Sequence, residues 1–524
     1  MGIVKQTHVN PTSKTDPNDD MRAATDYIVV GAGTAGSVLA ARLTEDPHTR
    51  VLLVEAGSAV ELPAMAVPFR WPELMATEAN WGDITVTQSF SGTSVPAPRG
   101  RALGGSSSTN GLTFVRGHRA SYDAWIDQGA KGWGFDDLLP YFKRSESTQG
   151  RDPGVRGTDG PLTVGPTAEP SPIAVAALNA SAELGYETAR DISSGVETGF
   201  GLADSNIKDG RRQSAADAYL DEATLGRPNL QVVTDAMVQR ILVTDGVAIG
   251  IEYVHEGVAT RVHAAREVIL TAGAIGSAQL LLASGIGPAR HLREVGVDVV
   301  LDLPGVGENL HDHPMSTVLY EATAALPHNP RNPMGQAVGL IETVHADAGP
   351  NLQILVIAAP MRASTLPGPD DGYAVAFSAI TPFSRGRVRL ASASMDVGPL
   401  IDPNYLGDDR DVAVMEAGFE IARQIGESEG LSQWRAGEVQ PGPAVQDQSS
   451  VRQYLGRSLL VYFHYAGTCR VGTDEMAVVD LELRVRGIDA LRVADASIMP
   501  SPVSANTNAT VYAIDEKAAD LIRL

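Results

Sequence analysis

Apolar residues in this chain fall into two patterns: short unbroken runs closed by glycine, and stretches in which they recur every three or four positions. Tyr27-Ile-Val-Val30 is the first unbroken run, and four apolar side chains ahead of a glycine predict a strand buried on both faces, as in a parallel sheet. Ala35, Leu39 and Leu43 then follow at the spacing of one helix face. Val51–Val54 is a second run. Arg266-Glu-Val-Ile-Leu270 is a third, closed by Gly273-Ala-Ile-Gly276 and followed by an apolar helix from Ala278 to Ala283. Near the end, Leu491-Arg-Val-Ala-Asp495 reads as another short strand closing on an acid. Residues 510–522 read as an amphipathic helix with Val511, Ile514, Ala518 and Leu521 on its apolar stripe. Units so far apart in sequence predict one sheet assembled from discontinuous segments.

Between about 312 and 463 the texture changes. Leu352–Ile357, Tyr373–Phe377 and Arg387–Ala391 are short β-type runs separated by Pro and Gly clusters, and a helical stretch follows from about Asp409 to Gly426. This predicts an antiparallel sheet with helices, serving as a substrate domain. Pro327-His-Asn-Pro330-Arg-Asn-Pro333 is a loop, either an entrance segment or plain surface.

The glycines after the first strand carry the first chemistry. Gly31 allows a tight turn, Gly33 lets backbone approach a pyrophosphate, and Gly36 lets the helix pack closely on the strand. Glu55 ends the second strand, where a carboxylate accepts hydrogen bonds from an adenosine ribose and disfavours a 2′-phosphate. The motif predicts the ADP half of a dinucleotide and leaves FAD and NAD both open. The fold class expected is α/β. A Rossmann-like nucleotide domain takes residues 25–155, 200–311 and 464–524, an α+β substrate domain takes 156–199 and 312–463, and 1–24 is a flexible leader.

The net charge of −22 repels nucleic acid phosphates and anionic membranes, so neither is an expected partner. No run approaches the ~18 apolar residues of a membrane span. The polar start, Met1 to Met21, lacks the apolar core of a signal peptide, and the single cysteine, Cys469, excludes an internal disulfide framework. A cytoplasmic location is the expectation. His311 and His313 form an HxH without further ligands nearby, so no metal site is expected, and both are read as structural or near the cofactor.

Further blocks carry a family resemblance. They are Gly100-Arg101-Ala-Leu-Gly104-Gly105-Ser106 through Thr109-Asn110-Gly111, Gly273–Ser277 through Gly287, and Pro304-Gly-Val-Gly-Glu-Asn-Leu-His-Asp-His313. Ser384–Leu390, His464-Tyr-Ala-Gly467-Thr-Cys-Arg470 and Asp495–Pro500 through Asn508 complete the set. Together they resemble the glucose-methanol-choline (GMC) oxidoreductases, FAD-dependent alcohol oxidases and dehydrogenases, over residues 25 to 524. The resemblance implies FAD rather than NAD. It implies cofactor contacts at Gly31, Gly33, Thr34, Ala35, Gly36, Glu55, Ala56, Trp81, Arg101, Gly105, Ser106, Asn110, Gly111, Thr113, Val238, Phe463, Asp495, Ala496 and Thr507. Thr109 stands where some choline-oxidising relatives carry a histidine bonded to the flavin, so FAD is expected to be non-covalent.

Alcohol oxidation by a flavin needs an acceptor for the hydroxyl proton while hydride moves to flavin N5. His464 matches the family's catalytic histidine, and a neutral imidazole with an ordinary pKa of about 6.5 is a competent base near pH 7. Asn506 matches the second position of the pair, where an amide donates to the substrate oxygen. Phe463 and Tyr465 flank His464, suggesting a primary or benzylic alcohol as substrate, with O2 or another acceptor reoxidising the flavin. A choline-like substrate would want an acid in an aromatic cage, and Asp347 is the one carboxylate between 344 and 362. Hydroxynitrile lyases and a fatty-acid photodecarboxylase branch share the fold and are the alternatives in other classes, beside choline-like or sugar alcohol dehydrogenases. Oligomeric state is not legible.

Overall fold

A computed structural model describes residues 25–524; the expected leader lies outside the described residues. The unbroken apolar runs become a parallel sheet. In spatial order it contains Leu230–Val233, Val51–Val54, Thr25–Val30 and the C-terminal end of Val258–Leu270, with Leu491–Val493 beyond. Every neighbouring pair in this set is parallel, and the register places Val233, Val54, Val30, Leu270 and Val493 in one row. All five strands therefore stop at the same level, and the loops that follow open on one edge. In such sheets that edge is where ligands bind.

The strand Val258–Leu270 explains why sequence reading found only its end. Val268, Ile269 and Leu270 are buried in the parallel sheet, but the residues before Arg266 alternate between exposed and half-buried. That first part pairs antiparallel with Val247–His255, which pairs with Ala236–Thr244. The C-terminal helix, Asn508–Arg523, starts two residues earlier than expected and packs between the helices Thr34–Leu43 and Phe135–Ser145. It is buried beyond its expected stripe. Glu516 pairs with Arg42 at 2.7 Å and Arg144 at 2.6 Å, which compensates an otherwise costly buried carboxylate.

The second sheet is antiparallel throughout, in the order Arg435–Gln440, Pro314–Ala322, Gly372–Ala379, Leu352–Ile357, Gly335–Ile341 and Gly199–Leu202. Both of its faces are covered, so its strands read as continuous apolar runs. Ile354 and Val356 pack with Met415 and Phe419 of the helix Asp409–Glu427, whereas Leu355 and Ile357 sit on the opposite face with Val338 and Leu340. Two details depart from the sequence reading. Arg387–Arg389 pairs with Leu400–Asp402 as a separate ladder rather than joining the large sheet, and Gly199–Leu202 straddles the expected boundary after residue 199 while pairing with the second sheet. Among the described residues, no helix is long and apolar enough to cross a membrane.

Candidate active site

One elongated cavity runs from the carboxyl edge of the parallel sheet to the face of the second sheet that carries Leu355 and Ile357. Its near end is made of backbone. Gly31 turns the chain at φ +102°, a conformation that favours glycine. Gly105, at φ +54°, approaches Gly33 so closely that a Cβ on it would sit 2.7 Å from the Gly33 Cα. Three helices of ten or more residues begin on the cavity at Thr34, Gly273 and Asn508. Gly33 and Ala272 have no side chain with which to cap, and Thr507 does not use its own, so the helices at Thr34 and Asn508 keep N-terminal amides available to an anion, while the Gly273 amide is taken by Asp495. Asn508 adds a buried Nδ2 without a partner, its Oδ1 being held by Thr34 Oγ1 at 2.9 Å.

Glu55 accepts from the amides of Ala32 and Gly57, both at 2.7 Å, leaving each oxygen a second lone pair for a ribose hydroxyl. Burial pushes its carboxyl up, and those two amides pull it back toward the charged form. Asp495 is tied in the same way, to the Gly273 amide at 2.9 Å and Ser277 Oγ at 2.5 Å. This glycine-walled cradle, rich in N–H donors, fits the pyrophosphate and ribose of FAD.

Of the expected contacts, Gly31, Gly33, Thr34, Ala35, Glu55, Ala56, Trp81, Gly105, Ser106, Asn110, Gly111, Thr113, Val238, Phe463, Asp495, Ala496 and Thr507 line this cavity, as do His464 and Asn506. Gly36 and Arg101 do not. A Cβ at Gly36 would collide with the Gly31 carbonyl, so this glycine serves helix packing alone. Arg101 turns outward, its backbone amide bonded to Ala79 O at 2.7 Å and its guanidinium stacked 5.1 Å from the Trp81 ring.

At the far end, His464 Nε2 lies 3.2 Å from Asn506 Nδ2. Residues 461–466 could have presented this ring in many ways, and Asp312 fixes one of them. Its Oδ1 accepts from the His464 backbone amide at 2.7 Å, and its Oδ2 accepts from the Tyr405 hydroxyl. Burial pushes Asp312 up to about 6 against those bonds. The same grip holds Phe463 at φ +65°, an uncommon conformation for a bulky residue that persists only where surrounding contacts over-determine it. Phe463 stands at the mouth, partly exposed and edge-on to Trp71 with centroids 6.2 Å apart. Burial, and after it the adjacent His313, hold the His464 imidazole well below the ordinary histidine range, so it is neutral. Gln353 Nε2 donates to Asn506 Oδ1 at 3.4 Å and turns the amide's Nδ2 toward His464.

Sequence reasoning missed Asp312, Tyr405, Gln353 and Trp71, none of which has a motif spacing to the pair it supports. It also missed Arg212, a buried guanidinium that binds Asn110 Oδ1 at 2.6 Å and the Ser107 carbonyl at 3.2 Å and so holds the cofactor loop from behind. The two HxH histidines diverge. His311 packs against Gly467, its Nδ1 3.0 Å from the Asn309 carbonyl, whereas the Nδ1 of His313 lies 2.9 Å from that of His464.

Comparisons with known proteins agree with this geometry. Family models described as GMC oxidoreductase match residues 25–315 and 382–514. The chain is 36% identical to the mitochondrial choline dehydrogenase of Homo sapiens over 95% of its own length and 89% of that protein's. It is 37% identical to an oxygen-dependent choline dehydrogenase of Sinorhizobium fredii, covering 95% of each chain. Among solved structures, pyridoxine 4-oxidase from Mesorbium loti superposes with a TM-score of 0.90 at 36% identity, over 94% of this chain and 98% of that one. With two family models matched over most of its length and its cradle built for FAD, the chain belongs to the GMC oxidoreductases, FAD-dependent enzymes acting on alcohols.

Proposed function

We propose that this enzyme oxidises small, neutral, largely apolar primary alcohols, benzylic ones included, to aldehydes, with His464 as the base. The observation that carries the substrate class is the composition of the far wall. Met315, Met334, Leu355, Ile357, Met361 and Tyr462 line it. Among the described residues, the carboxylates on the cavity are Glu55 and Asp495, both at the cofactor end and both bound to backbone amides. A quaternary ammonium alcohol, as the names of the choline dehydrogenases suggest, gains most from a carboxylate beside an aromatic cage. The aromatic part is here in Trp71, Tyr462 and Phe463, but the carboxylate is not. An uncharged aromatic or aliphatic tail loses nothing against this wall and gains by leaving water.

Bound FAD supplies the hydride acceptor. A hydroxyl that replaces the mutual hydrogen bond of His464 and Asn506 meets a neutral Nε2 that takes its proton and an amide Nδ2 that donates to the oxygen as negative charge develops. The apolar wall aligns the carbon chain and excludes water. O2 or another oxidant then restores the enzyme, and Thr109 offers no imidazole for a covalent link to the flavin.

The test is a panel of benzyl alcohol, short aliphatic alcohols, choline and a hexose, each mixed with the holoenzyme without oxygen while flavin bleaching is followed. The account expects the neutral apolar alcohols to give the highest kcat/KM. Faster bleaching by choline would overturn the substrate class, and no bleaching by any alcohol would overturn alcohol oxidation itself.

A further inference from the structure

We propose that His313 is a positioning residue for the reaction, acting through the Nδ1 of His464; this rests on His464 being the base. The rings of His313 and His464 are both buried, and their Nδ1 atoms are 2.9 Å apart. Two Nδ1 atoms form a hydrogen bond only if one carries a proton and the other does not. Asn506 decides which. Its Nδ2 is a donor without lone pairs to share, so His464 Nε2, 3.2 Å away, accepts and is unprotonated. A neutral imidazole has one N–H, which on His464 must then be at Nδ1. It donates to His313 Nδ1, which leaves the proton of a neutral His313 on Nε2.

The chain of donors therefore has one consistent direction: Asn506 to His464, then His464 to His313. Its result is an unprotonated His464 Nε2, whose lone pair Asn506 holds until a substrate hydroxyl takes the amide's place. When the substrate O–H bond breaks, its proton goes to that lone pair and the oxygen keeps the bonding electrons. Carbon then gives up hydride with its electron pair, and the C=O bond forms. The imidazolium left behind keeps its Nδ1–H on a neutral acceptor. Asp312, one residue before His313, does not take this place, because its oxygens hold the His464 amide and the Tyr405 hydroxyl. A neutral partner holds the tautomer without adding a full counter-charge that would trap the proton on His464.

Two substitutions separate this from simple packing. His313→Asn keeps an oxygen acceptor near the place of Nδ1, and His313→Leu keeps the bulk without an acceptor. Anaerobic flavin reduction at saturating benzyl alcohol is expected to slow by roughly 10- to 100-fold in the Leu variant, with FAD content and spectrum unchanged. The Asn variant should recover most of the rate. Equal losses in both variants would overturn the proposal, as would a normal rate in the Leu variant. If the Leu variant does not retain FAD, His313→Ala replaces it with the same two outcomes. His464→Ala run alongside keeps the two ideas apart. A fast His464→Ala removes the base assignment itself, whereas a slow His464→Ala with a fast His313→Leu removes only the role of His313.

Discussion

The cofactor end of the cavity is walled by turns and helix starts, where Gly31, Gly33 and Gly105 bring bare backbone together, whereas the substrate end is walled by side chains from one face of an antiparallel sheet. The first wall offers phosphate its backbone N–H groups and offers a ribose the Glu55 carboxylate, which two of those groups hold in place. The second presents the side chains of Met334, Leu355, Ile357 and Met361, each replaceable without touching the backbone. The family models mark the same division. They match 25–315 and 382–514, and the strands Gly335–Ile341, Leu352–Ile357 and Gly372–Ala379 fall between them.

The most damaging way to break that contrast is to place a side chain in the backbone wall. Gly105→Val puts a Cβ 2.7 Å from the Gly33 Cα at a φ of +54°, which a β-branched residue resists. The purified variant is expected to be colourless, and retention of a full complement of FAD would show that the cradle does not need this approach. At the other end, Met361→Glu adds the missing carboxylate and should leave FAD content unchanged. It should lower kcat/KM for benzyl alcohol about tenfold and raise that for choline by about the same factor, or ~1.4 kcal/mol each way. Steady-state kinetics with both alcohols reads this directly.

A smaller effect separates a buried base from an exposed one. On the proposed mechanism the neutral form of His464 is the active form, and lowering its pKa moves the acid limb of the rate profile to lower pH. Anaerobic reduction should therefore be flat between pH 9 and 6, where a histidine with an ordinary pKa would fall to about a quarter of its plateau rate at pH 6. The smallest effect is expected at Arg101→Ala, because that side chain faces outward beside Trp81. FAD content and kcat/KM should change less than about twofold, as for most exposed positions. A large loss of FAD would return Arg101 to the cofactor site.

The difference between the two ends also explains what the sequence could show. Backbone recognition forces glycine at fixed places, so Gly31, Gly33 and Gly105 are visible as letters, and the acid ending the next strand is visible as Glu55. His464 and Asn506 are visible because a reacting pair allows few residue types. What positions them is not. Asp312 and Gln353 meet the pair only because the strands Pro314–Ala322 and Leu352–Ile357 lie over it, and a carboxylate that binds a backbone amide has no preferred spacing from its partner. Arg101 shows the opposite failure. It sits within a glycine-rich loop that does line the cavity, but the turn that brings Gly105 to Gly33 points the arginine away. The long strand Val258–Leu270 was half legible for a similar reason, since only its last three residues are buried on both faces.

The central claim is that one cavity joins an FAD cradle to a neutral histidine base, and the most direct measurement of it is anaerobic flavin reduction by benzyl alcohol in His464→Ala. The account predicts a yellow protein with the wild-type flavin spectrum whose reduction is slowed by about 10²- to 10⁴-fold, the usual contribution of a positioned base. Bleaching at the wild-type rate in that variant would contradict it.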